Sequence, residues 1–332
     1  MKVIDLEIKE PYKELAKLNK VLNKKEKDLE RLKNTIAAVF LHDEVKQLRK
    51  EIAWLLLNCG EYKKALDAYM SMSWKTEGET KYLGIGIALH KTGKISEAIN
   101  LFSKGLKRFP ESFALIVAVG NIYHEMNSFE MSLEYFKRAL VLNPEDRSIA
   151  FSKANALYGL GFYEEAFKIY QKLEKQCPDE SLFITQVGYC HLQMGYPEDA
   201  AVHFKSLLNK GCEGADDYNG LFCAYYDMGL LDDAIETAHE GIRKFPGDDP
   251  ALYCNTGVAY FEQSWLNDAR DIVSEGLKKF PKDEGLKELL EAIEDEIDKP
   301  DDDDKKPPIK EILIISALIK KLRNKRMFRP EK

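Results

Sequence analysis

The sequence lacks the short signatures of catalysis: no H-E-x-x-H pair, no glycine-rich phosphate loop, no G-x-S-x-G turn and no cysteine–histidine metal spacing. Gly84-Ile85-Gly86 comes nearest to a nucleotide loop, but it falls inside a predicted helix, where glycine serves close packing. No window holds the roughly 18 apolar residues that a bilayer-spanning helix needs. The start, Met1-Lys2-Val3-Ile4-Asp5, is charged and without the apolar stretch of a secretory signal. Six cysteines (Cys59, Cys177, Cys190, Cys212, Cys223, Cys254) are scattered with no C-x-x-C pair, which predicts small core residues in a reduced, cytoplasmic compartment. Together these absences predict a chain that is not an enzyme and holds no cofactor or metal.

What the sequence has is a period. Gly60, Gly93, Asn127, Gly161, Gly195, Gly229 and Ser264 recur at intervals of 33, 34, 34, 34, 34 and 35 residues. Five residues after each stands a small side chain: Ala65, Ala98, Ser132, Ala166, Ala200, Ala234 and Ala269. Four further on come Tyr69, Phe102, Phe136, Tyr170, Phe204, Ala238 and Val273. Pro110, Pro144, Pro178, Pro246 and Pro281 close five of the seven units, because proline lacks an amide donor and restrains the residue before it. A fixed period of this size predicts stacked helix pairs, none of which can bury its apolar face alone. The glycine admits the left-handed turn between the two helices, and the small residue lets them approach. The first unit has Met72 where alanine or glycine usually sits and no closing proline, so a ragged end is expected through 73–79. The fifth unit carries Pro197 at a helix start and ends on Gly211.

At these residues the sequence resembles the tetratricopeptide repeat family. The resemblance covers 46–283 in seven units: 46–79, 79–112, 113–146, 147–180, 181–214, 215–248 and 250–283. It implies an all-α, right-handed superhelical solenoid of antiparallel helix pairs, flanked by an N-terminal heptad helix and a C-terminal capping helix.

The ends differ from the repeats. In 1–45, Leu15, Leu18, Leu22, Leu29, Leu32, Ile36 and Val39 follow alternating three- and four-residue steps, interrupted by Lys25, a heptad seam on one helix expected over about 11–38. Two uses fit it, a cap on the first repeat or a helix for self-association or a partner. Leu286, Leu289, Leu290, Ile293 and Ile297 predict an amphipathic capping helix over 284–298. Lys299–Pro308 reads as an acidic, proline-containing linker. The tail 309–332 combines Ile309, Ile312, Leu313, Ile314, Ile315, Leu318, Ile319 and Leu322 with Lys320, Lys321, Arg323, Lys325, Arg326 and Arg329. As a helix it could pack on the solenoid, lie on an anionic membrane through 309–329 or enter a partner or a neighbouring copy. A peripheral membrane position is thus the alternative to a purely cytoplasmic one.

Charge is uneven. Residues 1–50 hold 13 Lys/Arg against 9 Asp/Glu and 309–332 hold 8 against 2, while 51–308 hold 28 against 45. A repeat region at net −17 is a poor phosphate clamp, so no nucleic-acid partner is expected.

The resemblance implies that each unit's first helix lines a concave face with three positions. Carried over, the rows are Lys50, Leu83, Val117, Phe151, Thr185, Asn219, Cys254; then Trp54, Ile87, Asn121, Asn155, Tyr189, Cys223, Val258; then Leu57, His90, His124, Tyr158, Leu192, Tyr226, Phe261. The lysine, asparagine and arginine set of the family's chaperone-tail clamp is absent from these rows. The candidate partner-binding set is Val117, Asn121, His124, Phe151, Asn155, Tyr158, Thr185, Tyr189 and Tyr226, suited to a protein or peptide with apolar side chains. Packing between helices is the alternative use of the same residues. His90 and His124 stand one repeat apart, about 9–10 Å in stacked helices, too far to share a zinc whose Zn–N bonds are about 2.0–2.1 Å.

Overall fold

The computed structural model describes residues 2–32, 36–72, 78–211 and 214–298. The expected linker 299–308, the basic tail 309–332 and Cys212 lie outside these residues. Every regular element among the described residues is an α-helix. Two long helices lead, α1 (Lys2–Arg31) and α2 (Ile36–Asn58). The pairs then follow: α3 (Tyr62–Met70) completes the first with α2, then α4 (Glu79–Lys91) with α5 (Ile95–Arg108), and α6 (Phe113–Glu125) with α7 (Phe129–Leu142). Next come α8 (Arg147–Gly159) with α9 (Tyr163–Gln176), and α10 (Ser181–Met194) with α11 (Pro197–Lys210). The last are α12 (Ala215–Asp227) with α13 (Leu231–Lys244), α14 (Pro250–Glu262) with α15 (Leu266–Lys279), and the lone α16 (Glu284–Ile297). The chain divides into two compact parts, Met1–Ile149 and Ala150–Lys332.

Every turn between paired helices is built alike. Gly60, Gly93, Gly161, Gly195 and Gly229 have φ of +74° to +82°, and Asn127 and Ser264 take the same left-handed form at +56° and +59°. At each site that residue's amide and the next donate back to the end of the preceding helix, as Gly93 N to His90 O and Lys94 N to Leu89 O, both at 2.9 Å. This satisfies carbonyls that a helix end would otherwise leave unpaired. The residue before each closing proline, such as Phe109 or Phe280, is pushed out of the helical region to φ of −124° to −137°. Gly211 ends the fifth pair at φ +66° without a proline.

Packing follows from the small and large residues. Ala65, Ala98, Ser132, Ala166, Ala200, Ala234 and Ala269 are wholly buried, as are all but one per cent of Tyr69, Phe102, Phe136, Tyr170, Phe204, Ala238 and Val273. In the second, third and fifth repeats the ring takes the place of a side chain that the facing helix does not have. An added Cβ on Gly86 would lie 2.3 Å from Phe102, and one on Gly120 or Gly188 would lie 2.8 Å from Phe136 or Phe204. Rings also reach the following unit, where Tyr69 covers Gly84 and Phe204 covers Gly220.

The N-terminal segment departs from expectation. One helix over 11–38 does not form: α1 ends at Arg31 and α2 begins at Ile36, running without a break into the first repeat. The two helices pack side by side in opposite directions. Lys25, the polar residue in the seam, is held by Glu44, Arg49 reaches Glu26 at 2.8 Å, and the Tyr12 hydroxyl donates to Cys59 O at 3.2 Å. Leu15, Leu18 and Leu22 lie on the core that Ile52, Ala53, Leu56 and Leu57 begin, so this stretch of the seam covers the first repeat. Where the first unit lacks a proline, Lys81 is buried and its ammonium donates to Met72 O, closing the end of α3. At the other terminus Leu286, Leu289 and Ile293 of α16 are wholly buried against α14 and α15.

Candidate functional site

In the N-terminal part, α6 carries Val117, Asn121 and His124 at four- and three-residue steps. Asn121 is exposed, while Val117 and His124 are half-buried. The His124 ring stands edge-on to Phe129 at 5.4 Å, and burial lowers its pKa, which favours the neutral imidazole. One repeat earlier His90 Nε2 lies 2.8 Å from Glu125 Oε2, with Lys91 3.7 Å from the other carboxylate oxygen. That cluster ties α4 to α6. Among the described residues no three His, Cys, Asp or Glu side chains form a metal-holding group.

In the C-terminal part the same register carries a ladder of side-chain contacts between successive first helices. Phe151 on α8 meets Phe183 on α10 at 5.7 Å and Tyr170 at 5.6 Å. Thr185 Oγ1 of α10 donates to Asp217 Oδ1 of α12 at 2.6 Å, and the Tyr189 hydroxyl donates to the Asp216 carbonyl at 2.7 Å. Asp217 is itself fixed, since its other oxygen accepts the Gly214 amide at 2.9 Å across the start of α12. Asn255 Nδ2 of α14 donates to Asn219 Oδ1 at 2.7 Å, and the Tyr226 hydroxyl donates to Glu262. Burial, then the nearby Asp216 carboxylate, pushes the Tyr189 phenol well above its usual range, so it stays a donor. Asn155 Oδ1 accepts from the hydroxyl of the buried Tyr170.

The nine expected partner-binding residues are therefore not one exposed lining. Tyr158, Thr185 and Tyr189 are buried, because a hydroxyl or ring at this register reaches the adjacent helix before it reaches solvent. Val117, Asn121, His124, Phe151, Asn155 and Tyr226 keep accessible surface. Asp216, Asp217, Asn255 and Glu262, which fix the ladder, were not singled out from the sequence. Asp217 could have been, as an acid in the first turn of a helix, whereas Asp216 takes part through its backbone carbonyl.

A second cluster lies on α10 and α11. The rings of His191 and His203 stack at 5.2 Å, with Phe167 edge-on to His191 at 4.9 Å. Burial lowers both pKa values, and for His191 the His203 charge adds to it, against Glu174 and Asp199. The unfolded histidines bind protons more readily than the folded ones, so stability is lost as pH falls through the unfolded value of about 6.5. The urea midpoint is expected to drop between about pH 7.5 and about pH 5.5, and the double change His191→Phe, His203→Phe should flatten that slope. An unchanged slope in the double variant would show that these rings do not carry the effect.

Comparison with known proteins adds to this geometry. A Tetratricopeptide repeat family profile matches residues 117–181 and 219–284. The chain is 25% identical over 229 residues to Protein CTR9 homolog of Arabidopsis thaliana, which covers 64% of this chain and 21% of that protein. It is 27% identical over 128 residues to Anaphase-promoting complex subunit 3 of Schizosaccharomyces pombe, covering 39% of this chain and 19% of that one. The chain thus spans about a fifth of the length of these relatives. Among solved structures, a tetratricopeptide repeat protein from Parabacteroides merdae superposes with a TM-score of 0.64 at 16% identity, over 75% of this chain and 98% of that one.

Proposed function

We propose that this chain, which has the tetratricopeptide-repeat fold and matches that family's profile over 117–181 and 219–284, is a non-catalytic scaffold that binds a protein or peptide on its first-helix faces. The observation that carries this is the ladder. Thr185–Asp217, Tyr189–Asp216 and Asn219–Asn255 lock the first helices of α10, α12 and α14 to one another. Side chains beside such a ladder are held before a partner arrives, which lowers the ordering cost of binding. Phe151, Asn155 and Tyr226 supply half-exposed rings and an amide beside that framework, and in the N-terminal part Asn121 supplies an exposed amide on α6. Rings of this kind give contact area at low entropy cost, while amides pair with peptide groups. A relative that is named as a subunit of the anaphase-promoting complex supports a role in assemblies.

Asn121→Arg and Phe151→Ala test the reading and leave the Thr185–Asp217, Tyr189–Asp216 and Asn219–Asn255 hydrogen bonds of the ladder in place. Quantitative affinity capture from the native cell should lose proteins with either variant, by about ten-fold or more at a hot spot. Unchanged capture by both, with helicity and melting intact, would reject the first-helix faces as the partner site. Asn155→Ala is the poorer probe, since it also strips the buried Tyr170 hydroxyl of its acceptor.

A further inference from the structure

One residue past the left-handed turn residues Gly161, Gly195, Gly229 and Ser264, the four repeats of the C-terminal part carry Phe162, Tyr196, Leu230 and Trp265. All four are about half exposed, at 50%, 53%, 45% and 47%. The same turn position in the three earlier repeats holds Glu61, Lys94 and Ser128, the kind of residue that a solvated turn ordinarily takes. Helix capping does not select the apolar residues, because at this position not even Ser128 makes a side-chain cap. Two and three residues beyond each stand exposed acids: Glu164 and Glu165, Glu198 and Asp199, Asp232 and Asp233, then Asp268. These acids favour their helix starts, but they also fringe the apolar row with negative charge. This turn edge is separate from the first-helix faces of the proposed partner site.

We propose that this edge is the docking surface for the chain's own basic tail, residues 309–329. Charge complementarity carries the choice of occupant. The tail brings Lys320, Lys321, Arg323, Lys325, Arg326 and Arg329 beside Ile312, Ile315, Ile319 and Leu322, the opposite charge on the same apolar character. Dimensions agree. The row from Phe162 to Trp265 crosses three repeat steps of about 9–10 Å, roughly 30 Å. Wound as a helix, twenty tail residues measure about 30 Å, and positions seven apart, such as Ile312 and Ile319, rise about 10.5 Å, near one repeat step. A fully extended ten-residue linker, the length of 299–308, spans about 30 Å, the same length as the row. Tethering holds the tail at an effective concentration near millimolar, so modest contacts suffice.

Zero-length carbodiimide coupling of the full chain tests this, because it joins only amines and carboxylates already in contact. An equal mixture of unlabelled and nitrogen-15-labelled protein, read by mass spectrometry, separates links within a chain from links between chains. The expected result is Lys320, Lys321 or Lys325 joined within one chain to Glu198, Asp199, Asp232 or Asp233. The pair Tyr196→Ser and Leu230→Ser, at exposed positions that leave every carboxylate in place, should cut the yield at least about five-fold. Links only between chains would replace the proposal with a second copy as occupant. Links from the tail to Glu262 on the first-helix face, a yield indifferent to the two serines, or tail lysines that couple nowhere on the edge would each overturn it. The last would leave the tail to a membrane or a foreign partner. Capture through Asn121 and Phe151 is read separately, so either reading can fail alone.

Discussion

Phe204→Ala is expected to cost about 3–5 kcal/mol, the range for truncating a fully buried phenylalanine. The ring is wholly buried and serves two units at once. A Cβ built on Gly188, in its own unit, would lie 2.8 Å from the ring, and one on Gly220, in the next, would lie 2.3 Å away. Removing the ring therefore opens a gap on both sides, and neighbours in a repeat array share their stability. Gly220→Ala makes the argument specific through its sign. Glycine to alanine inside a helix ordinarily gains about 1 kcal/mol. Here the methyl must displace a ring with no free side, an overpacking cost of about 1–3 kcal/mol. The wild-type background should thus lose stability on Gly220→Ala, whereas the Phe204→Ala background should gain it. Urea titration of the four proteins reads the coupling. If Gly220→Ala has the same sign in both backgrounds, ring and glycine do not set each other's space.

Most of this packing was legible before any coordinates, and the reason is physical. A turn with positive φ, a helix–helix approach with no room for a side chain, and a chain-ending proline each admit few residue types. They leave marks at fixed offsets, as at Gly161, Ala166, Tyr170 and Pro178. A further mark with the same spacing went unread beyond Gly86, the series Ala53, Gly86, Gly120, Ala154, Gly188, Phe222 and Gly257 that faces the rings. The break between α1 and α2 was not legible, because the heptad steps run on from Leu32 to Ile36 with no glycine or proline between them. Nor was the burial of Thr185 and Tyr189. Periodicity gives the direction in which a side chain leaves its helix, and whether Asp217 or the Asp216 carbonyl waits there depends on the next helix. The Lys81 closure of α3 escaped for the same reason, since a lysine in a helix reads as surface.

The facing series has one exception, and it predicts the second large effect. In the sixth repeat the first helix carries Phe222 where the others carry glycine or alanine, and the second helix carries Ala238 where most others carry a ring. Both are buried, Phe222 to 3% exposure and Ala238 completely. In the second, third and fifth repeats the equivalent pairs, Gly86 with Phe102, Gly120 with Phe136 and Gly188 with Phe204, are in contact. The sixth repeat has therefore exchanged the sizes across the same interface and kept the volume. Phe222→Gly alone should cost at least the roughly 3–5 kcal/mol of a lost core ring. Ala238→Phe alone should cost about 1–3 kcal/mol, because Phe222 already fills the space. Combined, the two changes restore the common arrangement, so most of the loss should be recovered instead of summed. The recovery has a limit, since Phe222 also stacks on Tyr226 at 5.8 Å, and Tyr226 is the residue whose hydroxyl reaches Glu262. The double variant should melt near the wild type yet leave the Tyr226 ring less supported on the first-helix face. Calorimetry on the four proteins decides the matter, and losses that simply add would mean that Phe222 and Ala238 do not share one space.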